Sequence, residues 1–346
     1  MLFSPHVLNG ILHRVATRRA RLGTGSVHEC PAPCSSLRAM ATDAADAWFG
    51  EDVPDAHCHP HLDAANFDAL STLGCRPVAL MSVARGDWPA VQAAASALGP
   101  QAIECFGIHP WWSHLHGTRA CPDKASLFEA KTPALLGQAA PVLDALPDPV
   151  PRAVWEPELR ELLSEHPRAC VGEVGLDRAA VIPGTRVHVA AVHQQELQDL
   201  MFELAGEYQR PISVHNVRAI GQIEALLRGL RGEHVPPRVM LHSYGGSVEM
   251  VGRFLALPCG DRIYFSFNTA VKTNPEALRE RIRAVPDDRL LVESDVTTIS
   301  RLEPALKNIC KVVAEAKGWD VDAAVRQLRA NFDRFYEPCL LREEGA

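Results

Sequence analysis

The chain has 346 residues, 47% of them hydrophobic and 22% charged, a globular composition that excludes global disorder and collagen-like structure. Its formal net charge is −7, which disfavours a protein that coats nucleic acid by counterion release, and no run of ~18 apolar residues offers a transmembrane helix. Ten Cys over this length fall far below the density of a disulfide scaffold and read as reduced thiols, whereas the fifteen His are the outlier.

The first 28 residues carry Arg14, Arg18, Arg19 and Arg21 and no acid, leaving 31 basic against 42 acidic residues, a net of −11, in the remainder. An Arg-rich, acid-free start reads either as a disordered extension or as a mitochondrial transit peptide; otherwise the expected compartment is cytoplasm or nucleus. Cys30 and Cys34 have no second ligand pair nearby, so a zinc site there is not expected. Met40 opens a plausible shorter product. Residues 1–50 are taken as the tail, 51–340 as the folded part and 341–346 as a short C-terminal tail.

Length alone suggests about two domains, but the pattern after residue 50 argues for one. Short apolar runs alternate with longer amphipathic stretches, as in βα units around a parallel sheet. Eight strands are predicted: Val53–His57, Pro77–Val83, Ile103–His109, Ala169–Gly175, Pro211–His215, Val239–His242, Ile263–Phe267 and Leu290–Ser294. The clearest helices are Ala191–Tyr208, Pro275–Ala284, one near Leu306–Ala316 and one near Val321–Asn331. The fold class is therefore α/β, a TIM-type (β/α)8 barrel. The connection after the third strand is too long, and residues 113–167, rich in Ala and Pro, read as an inserted loop with one or two helices that could act as a lid.

In such barrels the chemistry sits at the C-terminal ends of the strands, and most distinctive polar residues fall there. In Asp55-Ala56-His57-Cys58-His59 the two imidazoles at i and i+2 share a strand face, an arrangement suited to clamping a divalent metal. Glu173 stands between Gly172 and Gly175 after a buried apolar strand, where a carboxylate is costly unless paired or metal-bound. His215 and His242 each end an apolar run, and Glu293 and Asp295 share a face, so that one can ligate while the other orients. Each alone reads more simply as a satisfied polar residue. Together, four His, a Glu and an Asp at the ends of five strands converge on one mouth, and metal binding is expected.

These blocks resemble, in order, those of the TatD-related metal-dependent hydrolases, a branch of the amidohydrolase superfamily, over about Val53 to Phe335: Asp55 to His59, Gly107-Ile108-His109-Pro110, Gly172 to Asp177, Pro211 to His215, His242 to Gly246 and Glu293-Ser294-Asp295. The long insertion, Trp111-Trp112 and Val285 to Arg289 look closer to the fungal members than to the short bacterial ones. The resemblance implies a two-metal deoxyribonuclease (exonuclease) cleaving phosphodiester bonds by a metal-activated water. By residue matching, His57, His59, Glu173 and Asp295 would hold one ion. Glu173, His215 and His242 would hold the other, with Asp295 accepting the proton of the water. The mixed N/O donor set suits Zn, Mn or Mg without choosing among them.

The chain departs from the family at the walls. Val217 stands where the family has Arg, with Arg218 one place on; Thr297 replaces a Pro; Arg178 replaces an aromatic residue. Substrate contacts are therefore expected from His109, Arg178, Arg218, Lys272 and Tyr244, the last by stacking on a base. The bland alternatives are a structural His109 against Trp111 and Trp112, solvated loop cations and a Tyr244 packed under its loop. His193, His166, His6 and His13 have no partner at metal spacing, and Cys58, Cys75, Cys105 and Cys170 read as buried thiols. The expected partners are DNA or RNA ends held by weak local contacts, with no membrane. Two alternatives remain: a hydrolase of another ester or amide, such as D-aminoacyl-tRNA or a small phosphoester, and a barrel-based scaffold binding a protein through residues 113–167.

Overall fold

The computed structural model of the chain describes residues 49–340 except 51, 122, 233–234 and 271–272. Lys272, His6, His13, Cys30, Cys34 and both tails beyond this range lie outside the described residues. Eight parallel strands form one sheet: β1 Asp55–Cys58, β2 Val78–Met81, β3 Ala102–Phe106, β5 Cys170–Asp177, β7 Ile212–Val217, β8 Val239–Leu241, β9 Ile263–Phe267 and β10 Leu290–Val292. Two short strands, β4 Phe128–Glu129 and β6 His188–Val189, pair antiparallel outside it. The helices are α1 Trp88–Leu98, α2 Pro133–Asp144, α3 Arg152–Glu165, α4 Ala191–Glu207, α5 Ile220–Gly229, α6 Val248–Leu255, α7 Pro275–Ala284, α8 Ile299–Lys317 and α9 Val321–Leu340.

The barrel strands are buried on both faces, as their apolar runs require; all eight residues of β5 are buried. The sheet closes at a seam between β1 and β10. There the amide of Asp295 donates to the carbonyl of His57 at 3.1 Å and the amide of His59 to that of Val296 at 3.0 Å. One Asp55 oxygen caps the seam, accepting from the amides of Ser294 at 2.9 Å and His57 at 3.2 Å. Gly175 has φ +140°, and a Cβ there would collide with the His215 carbonyl. That close approach of β5 to β7 sets His215 beside Glu173.

Helix α9 puts Phe332, Phe335, Tyr336 and Cys339 into one buried cluster with residues from seven of the eight strands. Only the barrel interior touches so many strands, so α9 stoppers the end opposite the strand C-termini, and the Tyr336 hydroxyl donates to the Ala56 carbonyl at 2.8 Å. Among the described residues, no helix is long and apolar enough to cross a membrane.

The excursion after β3 is shorter than the expected 113–167. Gly117 donates to the Val150 carbonyl and Val150 to the Leu115 carbonyl, both at 2.8 Å, and this bridge closes the loop at its base. Helix α3, with Trp155, Leu159 and Leu163 fully buried, is the crossover between β3 and β5 rather than inserted sequence. The remaining loop forms a lobe with residues that follow β5. Ala139 and Leu143 of α2 pack with Ile182, Val187 and Val189, flanked by Phe128, Leu136 and Leu146.

Candidate metal centre

The strand ends bring His57, His59, Glu173, His215, His242 and Asp295 into one cluster. Nε2 of His57 and Nε2 of His59 lie 3.2 Å apart, and Oε2 of Glu173 lies 3.2 and 3.3 Å from them. Asp295 Oδ1 stands 3.7 Å from His59 Nε2. The other Glu173 oxygen, Oε1, is 2.9 Å from His215 Nδ1 and 2.8 Å from His242 Nε2, which are themselves 3.2 Å apart. Glu173 thus presents one oxygen to each half of the cluster.

Partners outside the cluster stand at the outward nitrogen of each ring. The Met81 carbonyl can only accept, so His59 donates from Nδ1, at 2.7 Å, and its Nε2 is turned inward. Nδ1 of His57 is 2.9 Å from the Ser213 hydroxyl. Asp177 lies 3.3 Å from His215 Nε2, leaving Nδ1 of that ring facing Glu173. Nδ1 of His242 faces Glu293 at 3.5 Å. The inward nitrogens of the four rings therefore face one another and both Glu173 oxygens across about 3 Å, a spacing that a shared cation can fill. Such separations are edge lengths of a polyhedron whose donors stand ~2.1 Å from one ion, and the residues fit divalent metal binding. Donor groups spanning all six residues, together with His109 and Glu293, lie within 4.8 Å of one another in sets of three.

The electrostatics draw positive charge to this centre: against burial, the Glu173 carboxylate, joined by Asp177 at His215, raises the His59, His215 and His242 imidazoles. Burial would raise the Glu173 carboxyl, but His109, His242 and His57 override it and hold the group well below the carboxylate range. Burial pushes His57 down to about 3, so the ring is neutral and its lone pair free to ligate. Burial raises Asp295 to about 6 against the opposing pull of His242. Asp295 also has φ +52°, and Arg218 (+55°) and Ser243 (+48°) are left-handed beside it at the ends of β7 and β8. Non-glycine residues held in this region cost of order 1–3 kcal/mol each and concentrate at functional sites.

His109 differs from the other four histidines. The Trp111 amide donates to its Nδ1 at 3.0 Å, so a neutral ring carries its proton on Nε2, 3.2 Å from Glu173 Oε1. Burial pushes this imidazole down to about 4 and keeps it neutral. It enters the centre as a hydrogen-bond donor.

The remaining expected residues separate. Glu293 is buried and accepts from Ser266 and, at 2.9 Å, from Asn268, so Asp295 faces the cluster and Glu293 orients. Arg178 and Arg218 are exposed at the strand ends. Tyr244 does not face the mouth: its ring is 5% exposed, edge-on to Phe265 and Phe267, and its hydroxyl donates to the Ser247 carbonyl. Gly245 and Gly246 allow the turn that folds it under, and base stacking is not available to it. His193 is fully buried between Thr118 and the Ser113 carbonyl, and His166 pairs with Glu104. Asp177, Asn268 and Ser213 had no assigned role in the sequence, yet each touches a residue of the cluster.

A family model described as TatD related DNase matches residues 54–337. The Cut9-interacting protein scn1 of Schizosaccharomyces pombe is 27% identical over 330 residues, 82% of this chain and 98% of that protein. A Saccharomyces cerevisiae protein named uncharacterized deoxyribonuclease YMR262W is 27% identical over 317 residues, 81% of this chain and 98% of its own. In structure the chain is similar to YjjV, a TatD homologue from Escherichia coli, with TM-score 0.57 and 19% identity, covering 83% of this chain and 98% of that one; at that identity the likeness shows the fold.

Proposed function

We propose, from the premise that this chain belongs to the TatD-related DNase family, that it is a divalent-metal-dependent deoxyribonuclease with two ions at the mouth of its barrel. The observation that carries the reading is the convergence of four histidine rings on both oxygens of Glu173. His57, His59, Asp295 and Glu173 Oε2 would hold one ion; Glu173 Oε1, His215 and His242 the other. When bound, a pair of ions supplies Lewis acidity and lowers the pKa of water.

The protein's own residues do the rest. Asp295, whose carboxylate faces the cluster beside His59, accepts the proton of the attacking water. His109 offers its Nε2 proton to a phosphate oxygen as negative charge builds there. Asp177 and Glu293 hold the rings of His215 and His242 in register. The water oxygen bonds to phosphorus, the bond from phosphorus to the leaving oxygen breaks, and the leaving alkoxide takes the proton that Asp295 accepted. Zn, Mn and Mg all suit the mixed imidazole and carboxylate set, and DNA ends are the expected substrate.

Protein stripped with chelator should leave end-labelled DNA intact and degrade it once Zn, Mn or Mg is restored. Glu173→Gln should remain inactive under every metal. If loaded wild-type protein leaves DNA and RNA intact, the nuclease reading fails.

A second reading is favoured by one observation, the name Cut9-interacting carried by the fission-yeast relative. In that case the lobe would dock a protein. Asp295→Asn would then leave the cellular phenotype unchanged, while removing the lobe would abolish it.

A further inference from the structure

Between the lobe and the end of β5 lies a cavity of about 350 Å³, lined by Lys131, Arg178, His188, Gln194, Glu129 and Asp177 among others. A second, of about 240 Å³, lies on Arg178 as well. Asp177 joins the first cavity to the metal centre, because the same carboxylate contacts His215 at 3.3 Å.

The charges in this cavity are not equivalent. Asp177 is saturated: it accepts from the Trp111 indole at 2.7 Å, from the amides of Ala179 and Ala180 at 2.8 and 2.9 Å, and from His215. Glu129 faces His188 across the β4–β6 ladder. His188 donates from Nδ1 to the Ala180 carbonyl at 2.6 Å. With its amide turned so that both ends are satisfied, Gln222 offers Arg178 its side-chain oxygen at 3.0 Å, a neutral partner that leaves the charge uncompensated. Lys131 and Arg178 make no ion pair among the described residues. Arginines on the neighbouring helix, in contrast, are committed: Arg152 to Glu156 and Glu196, Arg160 to Glu156 and Glu207. Two uncommitted cations facing one polar cavity, one from the lobe and one from the barrel, make an anion-binding arrangement.

We propose that this cavity is a subsite for a second phosphate of a polynucleotide whose neighbouring phosphodiester lies at the metal centre. The proposal rests on the nuclease reading for its choice of anion. It gives the lobe a function, the recognition of a substrate that carries more than one phosphate.

The test is binding of a dye-labelled single-stranded oligothymidylate in excess chelator, followed by anisotropy across a range of salt. Each single variant, Lys131→Ala or Arg178→Ala, should weaken binding roughly tenfold. The double variant should flatten the dependence of log Kd on log salt by about 0.7, for the one phosphate the subsite neutralises. Glu129→Gln, which removes a negative charge from the same wall, should tighten binding. A lobe acting only as structure would not give opposite signs. Unchanged slopes in the double variant, Glu129→Gln weakening binding, or no oligonucleotide binding by the wild type would each overturn the subsite. Wild-type protein that binds with the expected slopes but cleaves nothing when loaded sinks the nuclease reading and leaves the subsite standing.

Discussion

The carboxylate of Asp177 sits 3.3 Å from Nε2 of His215, and that contact turns Nδ1 of the ring to within 2.9 Å of Glu173. Burial would raise the Asp177 carboxyl, but His215 and the Trp111 indole hold it well below its ordinary range. It is ionised at any working pH and can accept the Nε2 proton. An amide presents its N–H₂ to the ring as readily as its oxygen, so Asp177→Asn should release the tautomer. Partners of this kind typically contribute 10–100-fold to metal affinity. Titration of the stripped variant against a competing metal indicator should show a loss of that size; unchanged affinity would remove Asp177 from the centre.

His57 and His59 aim Nε2 at Nε2 across 3.2 Å, and both rings are buried. Without a metal the centre draws protons instead, Glu173 raising the His59 imidazole against burial, and an ion would take their place. Metal should therefore stabilise the fold as well as activate it, by about 2.7 kcal/mol when free metal is a hundred times Kd. Thermal unfolding of stripped and reloaded protein measures this. Glu173→Gln, lacking the charge that both halves share, should lose most of the gain. An unfolding temperature indifferent to chelator would contradict the assignment.

His109 divides the ligand hypothesis from the donor hypothesis. With the Trp111 amide donating to its Nδ1, the ring has no lone pair to offer at Nε2. Replacement by Ala should leave the metal content per chain unchanged while turnover falls ~100-fold, the usual effect of losing one donor to a developing oxyanion. Loss of an ion in His109→Ala would make the residue a ligand instead.

The ligand-type residues were legible because apolar strands ending in His, Glu or Asp are conspicuous, and because i and i+2 share a face. Their partners were not, because cross-strand register decides them. Ser213 stands two residues before His215 on the same face but reaches His57, on a strand more than 150 residues away. Asn268 follows an apolar strand just as His242 does, but an amide carries no chemistry of its own to single it out. Helix α3 was lost in the apparent insertion because Pro157 lies inside it. Tyr244 misled because aromatic character does not reveal which way a turn folds.

The base of the lobe should open in acid. Burial pushes His114 down to about 4 and His116 down to about 3. Both nitrogens of His116 are in use: Nδ1 donates to the Trp112 carbonyl and Nε2 accepts from the Arg85 amide, so protonation breaks the second bond. The folded pKa of each lies below the unfolded value of ~6.5, so the unfolded chain takes up the proton first. Their stabilisation is complete above pH 6.5 and is lost as pH falls toward 4, amounting to about 2 kcal/mol for each residue at pH 5. The metal-centre histidines titrate too, some in the opposite sense, so the decisive quantity is a difference between proteins. His114→Phe keeps a ring against Trp112 and Phe128 and removes one of the two titrations. Its loss of stability between pH 7 and pH 5, measured by denaturant unfolding, should be smaller than that of the wild type by about 2 kcal/mol. Equal losses would mean that His114 is already protonated in the folded protein or is not buried at neutral pH.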